Sequence, residues 1–137
     1  MVEYIIDTNV FIRYITGDDK AKFEKTVLFF SKMDSGEFVG TTSDTVICEI
    51  VYVLNSKNLY NQSREKIWNS LSAIILHANF NLSSKEDWII AFDYFISTKL
   101  DLVDCFLVAK AKGNDSQIAS FDKGIDTITT RRFDFDV

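Results

Sequence analysis

Carboxylates are the side chains of this sequence best placed to do chemistry, and two of them stand directly after apolar runs. Asp7 follows the run over residues 3–6, and Asp122 follows the run over residues 117–121. If both runs are strands of a parallel sheet, both acids lie at its carboxyl edge, where ligands bind in such folds. Taken singly, each Asp has an ordinary explanation, since Asp after a strand commonly caps a helix or makes a turn.

Two further acids fall within apolar helical patterns. Glu49 shares a helical face with Val46 and Ile50, and Asp104 shares one with Val108, with Asp101 one turn before it. Burying an unpaired carboxylate costs several kcal/mol, so each acid needs a cation, a proton or access to water. For Glu49 alone, an ion pair or a place at the edge of the stripe is an equally good explanation.

A shared metal ion explains the four acids together. Few basic residues fall on the same faces, and the chain has one His and no Cys pair at zinc-binding spacing. A site made only of carboxylate oxygens suits Mg²⁺ or Mn²⁺, whereas zinc usually recruits His or Cys. The residue types therefore favour a hard divalent cation.

The apolar periodicity predicts the elements that would position these acids. Strands are predicted over residues 3–6, 37–41, 78–82 and 117–121, and helices over residues 10–15, 18–35, 44–54, 63–77, 84–99 and 100–112. Strands that alternate with helices pair in parallel through right-handed crossovers. We therefore expect an α/β fold, a three-layer α/β/α sandwich with a mainly parallel central sheet. No linker or repeat divides the chain, so a single domain over residues 1–137 is expected.

Composition bounds the class of protein. The chain has 137 residues, a formal charge of −5 and 47% hydrophobic residues, which excludes a disordered chain. An acidic protein lacks the general basic surface of a nucleic-acid binder, unless metal ions held by its acids make the local charge positive. Cys48 and Cys105 are expected to be reduced core residues. Neither a basic leader nor a membrane-spanning run is present, so a cytoplasmic protein without membrane contact is expected.

Four segments in this order resemble the motifs of the PIN domain family. They are Asp7-Thr8-Asn9-Val10-Phe11, Val46-Ile47-Cys48-Glu49-Ile50, Asp101-Leu102-Val103-Asp104-Cys105-Phe106-Leu107-Val108-Ala109 and Ser120-Phe121-Asp122-Lys123. The resemblance covers nearly the whole chain. The short format is similar to that of the VapC-type toxins of bacterial and archaeal toxin-antitoxin operons.

The resemblance implies a PIN-like sandwich and a metal-dependent endoribonuclease. By this resemblance, the catalytic and metal-coordinating acids are Asp7, Glu49, Asp104 and Asp122, which hold one or two Mg²⁺ or Mn²⁺ ions. Cleavage of an RNA phosphodiester bond then leaves a 5′-phosphate and a 3′-hydroxyl. The partners implied are the RNA substrate, a cognate antitoxin protein and a second copy of the chain in a homodimer.

Four other residues are expected to support the acids. Thr8 or Asn9 would fix the side chain of Asp7, and the helix that opens there would direct backbone N–H groups at a phosphate. By resemblance, Asn9 and Ser120 support the acids or the phosphate, and Asp101 holds a position where many members have an acid or polar residue. Candidates for guiding the RNA strand are Lys20, Lys22, Lys25, Lys110, Lys112, Lys123, Arg131 and Arg132.

Two other functions remain open at this point. One is a PIN-like nuclease of RNA maturation or decay that has no antitoxin. The other is a phosphoacceptor receiver-type signalling domain, which is also acidic, α/β and of this size. A receiver needs a pair of acids after its first strand and an Asp at the end of the third, yet Thr8 follows Asp7 and residues 80–82 contain no Asp. The nuclease is therefore favoured.

Overall fold

The first part of the chain folds around a small parallel sheet. The computed structural model describes all residues 1–137, which divide into two compact units, Met1–Ser83 and Ser84–Val137. In the first unit the strands are β1 (Glu3–Ile5), β2 (Val39–Thr41) and β3 (Phe80–Asn81), in the order β1-β2-β3 with both pairings parallel. Helices α1 (Thr8–Thr16) and α2 (Lys20–Asp34) connect β1 to β2, and α3 (Asp44–Asn55) and α4 (Arg64–Ile75) connect β2 to β3.

The helices of this unit begin where short polar side chains can cap them. The side chains of Asp19, Ser43 and Ser63 accept hydrogen bonds from backbone N–H groups in the first turns of α2, α3 and α4. Each bond satisfies a donor that has no partner within the helix. Gly17 ends α1 in the left-handed conformation, with φ of 62°, which glycine adopts without strain.

The core of the first unit lies between the sheet and its helices. Phe11, Ile47, Leu71 and Phe80 are fully buried there. Gly40 in β2 permits the close packing of α2 on the sheet, since a Cβ at this position would lie 2.8 Å from the sulfur of Met33. A larger residue would force the side chains of Met33 and Ile6 to move.

Two hydrogen bonds connect the carboxyl ends of β1 and β2. The backbone N–H of Ile6 donates to the carbonyl of Thr41 at 2.8 Å, and the buried hydroxyl of Thr42 donates to the carbonyl of Ile6 at 2.7 Å. Helices α1 and α3 begin within two residues of this pair, after Asp7 and Ser43. The two helices that carry Asp7 and Glu49 therefore start from one edge of the sheet.

Asp18 stabilises the turn between α1 and α2. One guanidinium nitrogen of Arg13 lies 2.9 Å from both carboxylate oxygens of Asp18, and the hydroxyls of Tyr60 and Thr16 donate to the same group. The hydrogen bond from Tyr60, then that from Arg13, lowers the pKa of Asp18 to about 2. This favourable contribution is present above the ordinary pKa of Asp and is lost as the pH falls towards 2.

The second unit consists of two long helices and an irregular C-terminal part. Helix α5 (Lys85–Ser97) packs against α6 (Leu102–Asn114), and a 3₁₀ helix (Lys123–Thr127) packs against α6. The ring of Trp88 on α5 stacks on that of Phe106 on α6, with 4.0 Å between their centroids. Val108 and Ile125 belong to a buried cluster that joins α6 to the 3₁₀ helix.

The predicted strand over residues 117–121 is wrong. Only Ile118 pairs with another segment, through an isolated parallel bridge to Arg132. Ile118 is also the one buried residue of the run, whereas Phe121 is 80% exposed. A strand needs pairing along its length and an apolar face to bury. Here the chain turns at Ser120 instead, and the hydroxyl of Ser120 accepts a hydrogen bond from the N–H of Asp122 at 3.0 Å.

The other predicted elements are confirmed to within a few residues, although α1 begins at Thr8 rather than Val10. Parallel strands connected by helices confirm the predicted α/β class. The single domain over residues 1–137 stays a prediction. No helix of the chain combines the length and the apolar character needed to cross a lipid bilayer.

Candidate active site

Asp7 lies between β1 and α1 and occupies the capping position of the helix. Its backbone is extended and its side chain is exposed, yet its carboxylate accepts no hydrogen bond from the first turn of α1. An Asp at this position ordinarily accepts such a bond. The N–H of Val10 donates to the backbone carbonyl of Asp7 at 3.1 Å. The carboxylate of Asp7 and the N–H groups of Thr8 and Asn9 are therefore available to an external ligand, and the positive end of the helix dipole favours an anion there.

Thr8 carries an unpaired buried hydroxyl directly after Asp7. The residue is 5% exposed, and its Oγ1 atom has no hydrogen-bond partner. A buried polar group without a partner costs about 1–3 kcal/mol. Such groups are rare in folded proteins, and a functional role is one of their recognised explanations. Asn9, the next residue, is exposed in the first turn of α1.

Glu49 lies on α3 outside the buried stripe. The buried residues of this helix are Ile47, Ile50, Val51 and Leu54, and Glu49 is exposed. The expectation that Glu49 shares an inward apolar face is therefore wrong. Because α1 and α4 pack against α3, they select the stripe that begins at Ile47 and leave Glu49 on its flank.

Three acids of the second unit come together at the start of α6. The half-buried carboxyl of Asp104 lies beside that of Asp122, and Asp101, which precedes α6, adds its charge nearby. Burial of Asp104, then the charge and hydrogen bond of Asp122, and then the charge of Asp101 raise the pKa of Asp104 above its ordinary value. Neighbouring carboxylates produce this shift when no cation lies among them.

The donor chemistry of these residues fits a hard divalent cation. No Lys or Arg contributes to the shift at Asp104, so protein cations do not neutralise the group. Within either unit, no three acidic, His or Cys side chains converge tightly enough to enclose an ion by themselves. The oxygen-only set around Asp104 is nevertheless of the type that Mg²⁺ and Mn²⁺ use together with water molecules and substrate phosphates.

The family model of the PIN domain matches residues 4–130. The chain belongs to the PIN domain family. PIN domains are generally metal-dependent nucleases, and the predicted PIN-like α/β fold class is confirmed. A search among curated proteins finds no match to this chain. The matched region of the PIN domain includes all four acids predicted to bind metal, which are Asp7, Glu49, Asp104 and Asp122.

The turn after Ser120 positions Asp122 in this PIN domain. Ser120 accepts the backbone N–H of Asp122, and Asp122 in turn accepts the N–H of Gly124 at 2.8 Å. A Cβ at Gly124 would lie 3.0 Å from the carboxylate of Asp122 and 3.1 Å from Leu100. Gly124 is thus a positioning residue that the sequence interpretation missed, although the Asp-x-Gly spacing is a recognised turn signal.

Three of the eight cations proposed to guide RNA are already engaged within the second unit of the PIN domain. Lys123 pairs with Asp136, Arg131 with Asp115 at 3.0 Å, and Arg132 forms two bonds to Asp126 at 2.8 and 2.9 Å. Arg132 also donates to the carbonyl of Ser120 at 3.2 Å. Arg131 and Arg132 therefore hold the C-terminal segment in place, which is a structural role.

Replacing Thr8 by Val tests whether its hydroxyl serves folding or the site. We expect Thr8→Val to leave the free energy of unfolding unchanged or to raise it, because the hydroxyl has no partner to lose. The matched change Thr42→Val removes the buried bond to Ile6 and is expected to cost about 1 kcal/mol. Urea unfolding of both variants measures the difference. Nuclease activity of Thr8→Val is expected to fall, and an equal destabilisation of the two variants would contradict a role at the site.

Proposed function

We propose that this PIN domain is an endoribonuclease that hydrolyses RNA phosphodiester bonds with Mg²⁺ or Mn²⁺. The observation that supports this most directly is the closeness of Asp104, Asp122 and Asp101, whose charges together with burial raise the pKa of Asp104. Carboxylates kept together at a cost in free energy are typical of functional sites. We assign the binding of one or two ions to Asp7, Glu49, Asp104 and Asp122, which supply oxygen ligands only.

The chain's own residues supply binding and orientation. A divalent ion at the acids would polarise the phosphoryl oxygen and lower the pKa of the attacking water. The N–H groups of Thr8 and Asn9 at the start of α1 bind a non-bridging phosphate oxygen, since the side chain of Asp7 does not cap them. Ser120 accepts the backbone N–H of Asp122, and the N–H of Gly124 donates to the carboxylate of Asp122 and orients it. No side-chain nucleophile is required, because water attacks the phosphorus.

We further propose that the protein is the toxin of a toxin-antitoxin pair, acts in the cytoplasm and forms a homodimer. The support is the resemblance of its motifs and short format to VapC-type toxins. In this proposal a cognate antitoxin keeps the nuclease inactive until it is removed. A nuclease of RNA maturation or decay would use the same acids without such a partner.

The choice of RNA as substrate is tested with two end-labelled oligonucleotides of the same sequence, one of RNA and one of DNA. We expect the purified protein to cut the RNA in millimolar Mn²⁺ or Mg²⁺, to leave 5′-phosphate and 3′-hydroxyl ends, and to be inactive in EDTA. Product ends are identified by gel mobility after phosphatase and kinase treatment. Full activity in EDTA would contradict the metal site, and equal cleavage of the DNA would contradict the RNA preference.

A further inference from the structure

The exposed side of α2 carries three lysines in one line. Lys22, Lys25 and Lys32, here named the lysine stripe, occupy positions i, i+3 and i+10 of the helix, and Phe29 lies among them at i+7. This spacing places all four on one face. The three lysines are exposed and border the buried face of α2, which consists of Thr26, Phe30 and Met33. At about 1.5 Å per residue, the stripe extends about 15 Å along the helix.

The lysine stripe has no acidic partner in the protein. The ion pairs of the first unit join Arg13 to Asp18 and His77 to Asp34, and none includes a lysine of α2. The two acids of α2, Glu24 and Asp34, lie at least about 80° around the helix from each stripe lysine, at about 100° per residue. The stripe is therefore a set of lysines without ion pairs on a chain whose formal charge is −5. Beyond α2, the acid Glu37 comes near one end of the stripe, since its backbone N–H donates to the carbonyl of Lys32 at 3.0 Å.

Aromatic rings lie beside these charges. Phe29 contacts the rings of Tyr4 and Phe38, with centroids 5.9 and 4.8 Å away, and Tyr4 is 47% exposed. Proteins that bind single-stranded nucleic acid combine a positive track for the phosphates with aromatic faces on which bases stack. A folded duplex offers no free base faces, so the combination fits an unpaired strand.

We infer that the lysine stripe of α2 binds the phosphates of single-stranded RNA away from the bond that is cut. The inference rests on the proposed function for the identity of the substrate. It assigns the positioning of the substrate strand to Lys22, Lys25 and Lys32, in place of the paired cations Lys123, Arg131 and Arg132. The metal acids then carry out the cleavage, and the stripe sets the affinity for the strand.

The test measures affinity separately from cleavage. The probe is a fluorescein-labelled 20-nucleotide single-stranded RNA of mixed sequence, and fluorescence anisotropy in EDTA gives the dissociation constant from 50 to 300 mM KCl. We expect the triple variant Lys22→Gln/Lys25→Gln/Lys32→Gln to bind at least about tenfold more weakly at 50 mM KCl. The slope of log affinity against log salt should fall by about 2, since each lost contact with a single strand contributes about 0.7.

The matched control removes the same charge at three lysines that have no proposed role with RNA. Lys57→Gln/Lys66→Gln/Lys85→Gln neutralises one lysine after α3, one on α4 and one at the start of α5. This control should keep the wild-type salt slope and an affinity within about twofold. Equal losses in both triple variants would overturn the inference, as would an unchanged stripe variant or a wild-type protein that does not bind the probe.

Further measurements distinguish failure of this inference from failure of the proposed function. In one outcome, the wild type binds the RNA and the stripe variant does not, but the wild type cuts no RNA with Mn²⁺. That outcome would support RNA binding by the stripe and contradict the nuclease. Cleavage that the stripe variant performs with unchanged KM would support the nuclease and overturn the stripe. Wild-type binding to vesicles with 30% anionic lipid, lost in the stripe variant while RNA binding is kept, would overturn the choice of RNA.

Discussion

Asp104→Asn is expected to lower the rate of RNA cleavage by at least about 10²-fold while the protein stays folded. Asn keeps the size of the side chain but removes the charge that a divalent ion requires as its ligand. Asp104 is also the acid whose carboxyl the structure brings against a second one, that of Asp122. Initial rates on a labelled RNA in millimolar Mn²⁺, together with circular dichroism of each protein, measure the effect.

Asp93→Asn is the matched control for this prediction. Asp93 is an exposed acid of α5 in the same unit, so the change has the same size and removes the same charge. It is expected to leave the cleavage rate within about twofold of wild type. Equal rates for Asp104→Asn and wild type would contradict the assignment of Asp104 as a metal ligand.

The same variants report on the biological role when they are expressed in cells. If the chain is a toxin, wild type and Asp93→Asn should arrest growth, whereas Asp104→Asn should not. Growth curves after induction are the measurement. A wild-type protein that cuts RNA in solution but leaves growth unchanged would favour the maturation or decay nuclease over the toxin.

The second large effect is on thermal stability, and its sign separates a metal site from a structural acid. Burial and the charges of Asp122 and Asp101 raise the pKa of Asp104, so its charged form is disfavoured in the folded state. This cost is present above the folded pKa and disappears as the pH falls below the ordinary value near 3.8. At pH 7 without metal, Asp104→Asn is therefore expected to keep or raise the melting temperature.

Asp126→Asn should act in the opposite direction. Asp126 accepts two bonds from Arg132, whose side chain is only 6% exposed, and this contact lowers the pKa of Asp126. The stabilising contribution is present above the ordinary pKa of Asp and is lost as the pH falls through the lowered value. Removing the charge leaves Arg132 without its partner, so the melting temperature at pH 7 should fall.

Added Mn²⁺ completes the comparison. A ligand at a concentration of 100 times its dissociation constant stabilises the folded state by about 2.7 kcal/mol. Wild type and Asp126→Asn should therefore gain melting temperature in Mn²⁺, and Asp104→Asn should gain much less. Differential scanning fluorimetry at pH 7, with and without Mn²⁺, measures all three. A strongly destabilised Asp104→Asn together with a wild type that does not respond to Mn²⁺ would show that Asp104 is part of the scaffold.

Much of this fold is encoded in local patterns that can be read from the sequence. The helical periodicity over residues 18–35, 44–54 and 63–77 was sufficient to predict α2, α3 and α4, since a helix forms from contacts within a few residues. The positions of Asp7 after β1 and of Asp104 on α6 follow from the same short-range rules. The ordered spacing of the acids led to the PIN domain, which the family match confirms.

Only the tertiary structure decided features that depend on packing between distant segments. The run over residues 117–121 has the apolar character of a strand, but only Ile118 of this run pairs with a neighbouring segment. Which stripe of α3 is buried depends on where α1 and α4 pack, and their packing leaves Glu49 exposed. The helical pattern fixes the angles of the side chains around the helix axis, whereas the burial of each side chain depends on which elements pack against the helix.

Pairing of charges is likewise a tertiary property. Nothing in the local sequence distinguishes Arg132, which is held by Asp126, from Lys25, which has no acidic partner. The sequence around Thr8 likewise does not show that its hydroxyl is buried without a hydrogen-bond partner, because that burial exists only in the folded chain. By itself, the sequence determined the helices and most of the strands, because these follow from contacts between near neighbours, and it supplied the acids that are proposed to bind metal. The folded chain decided which of its polar groups remain free to act, because a charge is satisfied by whatever lies within about 3 Å of it in space.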